Sequence, residues 1–67
     1  MMYTLKMWKY EVSAEGTLIE ECKATRDIPD DSVNIFVDSW KRHALESAWT
    51  GRIEVCGPEG PITRYEF

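Results

Sequence analysis

The chain has 67 residues, 43% hydrophobic and 30% charged, which excludes two separately cored domains and a disordered composition. Twelve acidic against eight basic side chains leave a net charge of −4, which argues against unassisted nucleic-acid binding and against attraction to an anionic membrane surface. No apolar run approaches the roughly 20 residues of a membrane span, and Met1 to Lys6 lack the basic start and apolar core of a signal peptide, so the chain is read as an intact cytoplasmic product without membrane contact.

Residues 3–12 alternate and are rich in aromatic and β-branched side chains, which predicts a strand. Tyr3, Leu5 and Met7 share one parity, and Trp8, Tyr10 and Val12 share the other. That phase change implies a bulge near Met7-Trp8 or a strand partly covered on both faces. Ser13-Ala14-Glu15-Gly16 reads as a hairpin turn, with Gly16 supplying positive φ. Residues 17–25 form the predicted second strand. Leu18, Cys22 and Ala24 lie on one side, Ile19, Glu21 and Lys23 on the other, and Glu20 interrupts the apolar parity.

Arg26 to Asp31 reads as a connection broken by Pro29, with Asp30 or Asp31 capping the following helix. The helix is predicted from about Ser32 to Trp49. Val33, Phe36, Val37, Trp40, Ala44 and Ala48 recur at helical spacing and form one stripe. Gly51 is the expected C-terminal cap. Residues 52–56 alternate with Ile53 and Val55 inward, Gly57-Pro58-Glu59-Gly60 is a turn, and residues 61–67 place Thr63, Tyr65 and Phe67 on one side.

The order is β-β-α-β-β. It predicts a two-layer α+β domain spanning residues 1–67, with a single helix on a four-stranded, mostly antiparallel sheet wired as a β-grasp-like fold or as a meander. Such a chain keeps only about 3–5 kcal/mol of net stability. Truncating Phe36 or Trp40 is therefore expected to unfold it.

Few residues are placed for chemistry. His43 lies one helical turn from Ser39 and near Glu46, but nothing adjacent supplies an oxyanion site, so a solvated helix histidine is the favoured reading. Cys22 is assigned to packing. Cys56, at a strand end beside a Gly-Pro turn, has no base to activate it. Two separated cysteines and one histidine do not make a zinc site. Gly57-Pro58-Glu59-Gly60-Pro61 is followed by a strand and is no phosphate loop. No cofactor, metal or catalytic residue is assigned.

Charge and leftover apolar residues carry the functional expectation. Residues 13–31 hold Glu15, Glu20, Glu21, Asp27, Asp30 and Asp31 against Lys23 and Arg26, a segment net of −4. Off the stripe, Ile35, Arg42 and Trp49 recur every seven residues on the far side of the helix, and either Trp8 and Tyr10 or Tyr3 and Met7 fall on an open sheet face. Trp and Arg are the types enriched at binding hot spots. The sequence thus predicts a non-catalytic, acidic protein-binding module. In its sharper form this is an inhibitor, of the kind that phages and mobile elements encode, docking on a partner's basic nucleic-acid-binding groove. The alternatives are a homodimeric accessory protein joined by a sheet face or edge, and a small enzyme or subunit using Cys56 or His43 at an oligomer interface.

Overall fold

Residues rich in β-branched and aromatic side chains pair along their length into two antiparallel hairpins, and the computed structural model describes all of residues 1–67. Strand β1 (Met2–Val12) pairs with β2 (Leu18–Pro29), and β3 (Gly51–Gly57) with β4 (Gly60–Glu66). A 3-10 turn (Asp30–Ser32) and helix α1 (Val33–Glu46) join the hairpins. The first turn follows the expected chemistry: Gly16 takes φ +83°, and the amide of Gly16 donates to the Ser13 carbonyl at 2.9 Å.

The sheet order is β2-β1-β3-β4, antiparallel throughout. The α+β class and element order stand as expected, but the wiring is neither alternative. A β-grasp fold would join the terminal strands, and a meander would join β2 to β3. Here the first strand of each hairpin meets the other, β1 against β3. Strands β2 and β3 run parallel to each other with β1 between them. Helix α1 must therefore cross the sheet to connect them, and it packs over the two inner strands.

The bulge expected near Met7-Trp8 is present, but the extra residue belongs to β2. Met7 pairs with Ala24 and Trp8 with Cys22, leaving Lys23 unopposed. Strand β1 therefore keeps one parity throughout. Tyr3, Leu5 and Met7 face the helix, while Trp8 and Tyr10 face away. On β2 the bulge reverses the parity: Ala24 and Ile28 turn toward the core, and Leu18, Glu20 and Cys22 turn to the open face. Cys22, assigned to packing from sequence, is consequently exposed. Pairing also continues through the proposed connection, because Met2 holds Pro29 at the strand edge.

Helix α1 ends at Glu46, three residues before the expected Trp49. Ala48 takes a left-handed φ of +56°, the amide of Ala48 donates to the Leu45 carbonyl at 3.1 Å, and that of Trp49 donates to the Ala44 carbonyl at 2.9 Å. These two bonds define a Schellman cap with Ala48 at the position usually held by glycine. Ala48 therefore leaves the stripe, and Trp49 folds back against the core. Gly51 is not the cap: it opens β3, where an added Cβ would collide with the Trp8 carbonyl oxygen. At the other end Ser32 occupies the N-cap position, but its side chain makes no capping bond to the helix amides, and Asp30 and Asp31 lie in the preceding 3-10 turn.

The core lies between α1 and one sheet face: Leu5, Met7, Ile28, Val37, Ala44, Ile53 and Val55 are buried. Val33, Phe36, Trp40, Trp49, Tyr65 and Phe67 pack around them, half-buried. The opposite sheet face has no second layer. No helix is long and apolar enough to cross a membrane.

Candidate binding face

The uncovered sheet face carries the most organised set of side chains outside the core. Strand pairing places Trp8 opposite Arg52, Tyr10 opposite Glu20, and Lys6 opposite Glu54. Arg52 is the hub, with a side chain 12% exposed. Its guanidinium donates to the Tyr10 hydroxyl at 2.9 Å and pairs with Glu20. Its carbon centre stands 5.0 Å from the Trp8 ring centroid and 5.6 Å from that of Tyr10. The Trp8 indole N–H donates to Glu54 Oε1 at 2.6 Å, and Glu54 Oε2 lies 3.4 Å from Arg52 Nε. That Nε makes no hydrogen bond. The bond to Tyr10, the bond to Glu20 and the field of Glu54 hold the guanidinium charged well above its ordinary range, against the opposing effect of burial.

This arrangement fixes two large aromatic rings at low entropic cost. Arg52 is shared between both rings and two carboxylates, so none of these side chains rotates without breaking a contact. The face extends along the hairpin arm through Val12 and Leu18, which are 71% and 57% exposed. At its other end Thr4 donates to Asp27 at 2.8 Å.

The sequence-selected residues divide among separate regions. Trp8, Tyr10, Glu20 and Asp27 share the open face. Glu21 lies on the helix side of β2 beside Lys23, and Glu15 sits at the hairpin tip. Asp30 and Asp31 lie at the opposite end of the sheet, before α1, where Ser32 Oγ donates to Asp31 at 3.3 Å. The six acidic residues do not form one patch, because β2 runs the length of the sheet and alternates its side chains between the faces. Ile35 and Arg42 are exposed on the outer side of α1, but Trp49 does not extend their line, since the helix has ended before it. The Trp49 ring instead has the Lys9 and Lys23 ammonium groups at 5.4 and 5.6 Å from its centroid, and the His43 ring edge-on at 5.3 Å. Nearby, Lys9 binds Glu11 at 2.9 Å and lowers the Glu11 carboxyl pKa by hydrogen bond and charge.

Arg52 and Glu54 escaped the sequence reading. Their signal was their place on the polar parity of a cleanly alternating strand, but only the β1–β3 register puts them beside Trp8 and Tyr10. His43 is exposed beside Trp49, Cys56 is a half-buried free thiol in β3, and no three His, Cys, Asp or Glu side chains group to hold a metal ion. A solvent-open depression of about 360 Å³ lies against β4, lined by Glu54, Pro61, Ile62, Thr63 and Arg64. Comparison of the chain with protein-family models, curated proteins and solved structures gives no match.

Proposed function

We propose that the chain is a non-catalytic protein-binding module that docks through its uncovered sheet face. One observation carries this reading: Trp8 and Tyr10 stand half-buried on a sheet face with no second layer, held in place by Arg52, Glu20 and Glu54. Aromatic anchors prefixed by polar neighbours pay little ordering entropy on binding. The net charge of −4 extends the reading to an inhibitor that covers a basic, nucleic-acid-binding groove on its partner.

The test uses the full chain as bait in extract of its native host, beside a Trp8→Ala/Tyr10→Ala double variant and an Ile35→Ala control on the outer side of the helix, all checked for folding by circular dichroism. The expected result is one partner retained by the parent and the control, with affinity reduced at least about tenfold in the double variant and falling as salt rises. Retention that ignores the double variant overturns the docking face. Retention that ignores ionic strength overturns the basic groove.

A further inference from the structure

The sheet has two free edges, and they are built differently. Edge strand β2 carries Glu20, Glu21, Lys23, Arg26 and Asp27, a bulge at Lys23 and Pro29 at its end. Those are the devices by which proteins keep a sheet edge from pairing with another chain. Edge strand β4 has a proline, Pro61, and a bulge at Ile62, but both lie at its turn end; along the regular stretch from Thr63 to Glu66 the charged residues are Arg64 and Glu66. Helix α1 packs over β1 and β3, leaving β4 at the margin.

The main-chain geometry of β4 follows from one pair. Gly51 and Phe67 exchange both backbone hydrogen bonds, at 3.1 and 3.0 Å. In an antiparallel ladder such pairs alternate. Tyr65 and Thr63 therefore also bond inward to Ile53 and Val55, while the N–H and C=O groups of Arg64 and Glu66 point outward to no partner. By position the charges on β3 and β4 alternate, Arg52 opposite Glu66 and Glu54 opposite Arg64, and within β4 the exposed Arg64 and Glu66 side chains pair with each other at 3.1 Å, an ion pair that the second copy's charges would share.

From this geometry we infer that β4 pairs antiparallel with β4 of a second copy of this chain, about a two-fold axis at Tyr65. That register sets Arg64 opposite Glu66 of the second copy, and Glu66 opposite its Arg64. Both are positions whose free N–H and C=O groups face each other, so four main-chain hydrogen bonds form and the alternation of charge continues across the axis. The two Tyr65 side chains meet as a non-hydrogen-bonded pair, the closer of the two antiparallel pairings. Each Tyr65 ring has the Lys41 ammonium 5.7 Å from its centroid. A register centred on Arg64 or on Glu66 would set like charges face to face, so charge selects Tyr65. The product is one eight-stranded sheet with its two open faces side by side. Its small interface makes the association concentration-dependent.

Sedimentation equilibrium over a wide concentration range tests this with two charge reversals. Arg64→Glu places four carboxylates around the axis and Glu66→Arg places four guanidinium groups there. Each is expected to weaken self-association at least about tenfold. An equimolar mixture of the two variants restores opposite charges at both positions, so heterodimers form while each variant alone stays monomeric. That recovery also shows that both variants are folded. In the parent, amide exchange at Arg64 and Glu66 is expected to slow as concentration rises. A parent that stays monomeric at the highest attainable concentration overturns the inference. So do variants that associate as the parent does, or a mixture that fails to pair while the parent dimerises. Trp8→Ala is expected to leave self-association unchanged, which separates this edge from the docking face.

Discussion

Leu5, Met7, Ile53 and Val55 on one face of the sheet are at most 5% exposed, whereas Trp8, Tyr10, Arg52 and Glu54, alternating with them on β1 and β3, stay half-buried with nothing above them. The same two strands supply both sets. On the covered face, shape and exclusion of water do the stabilising, and no polar side chain is buried there. On the open face, large side chains that would otherwise float are pinned by hydrogen bonds, ion pairs and cation–π contacts centred on Arg52. The contrast teaches that the covered face sets whether the chain folds, and the open face sets what the folded chain presents.

Ile53→Ala probes the covered face with the largest expected effect. Ile53 is fully buried in the core, opposite Met7 on β1 and Tyr65 on β4, so the truncation should cost about 2–5 kcal/mol. That is close to the whole net stability of about 3–5 kcal/mol typical of so small a core. Far-UV circular dichroism at 25 °C should show a largely unfolded chain. A cooperative melt near that of the parent would mean the covered face is not the core. Arg52→Ala probes the open face and should cost less, about 1–3 kcal/mol, read as a lower urea midpoint at unchanged slope. The variant should remain folded with its Trp8 fluorescence changed, because the ring loses its anchor but not its strand. A shift under about 0.5 kcal/mol would mean that the network is not holding the face in place. Because the guanidinium pKa is raised, its contribution is fully present at neutral pH and is lost only as pH climbs into the strongly alkaline range.

Much of the covered face was legible in the sequence, and much less of the open one. Ile53 and Val55, the stripe through Val33, Phe36, Val37, Trp40 and Ala44, and the turn at Gly16 are local patterns, set by period and by backbone freedom, and all appear where expected. The parity of β2 was not legible, because a bulge at Lys23 exists only relative to a partner strand. The hub at Arg52 was hidden for the same reason: Trp8 and Glu54 are 46 residues apart, and only register makes them neighbours. Strand order escaped as well, since each hairpin is locally complete and nothing in either turn says which strands will meet.

The end of α1 is a case in which propensity pointed the wrong way and packing overrode it. Ala48 continues the apolar stripe and Gly51 follows at a plausible distance, so the pattern favours a longer helix capped by glycine. The chain instead turns at Ala48, because this swings Trp49 back onto the core beside Ala44 and frees Gly51 for its tight passage under the Trp8 carbonyl. Gathering Trp49 over the covered face outweighs the strain of a left-handed alanine, which is about 1 kcal/mol. Ala48→Gly should remove that strain while keeping both capping hydrogen bonds. The expected gain is about 1 kcal/mol, partly offset by the greater freedom of glycine in the unfolded chain. For a domain of this size that is a rise of a few degrees in Tm, measurable by thermal denaturation with the open-face Trp8 environment unchanged. A fall in Tm would mean that the Ala48 methyl contributes packing that outweighs its strain. The cap would then be stabilised by contact, with backbone geometry secondary.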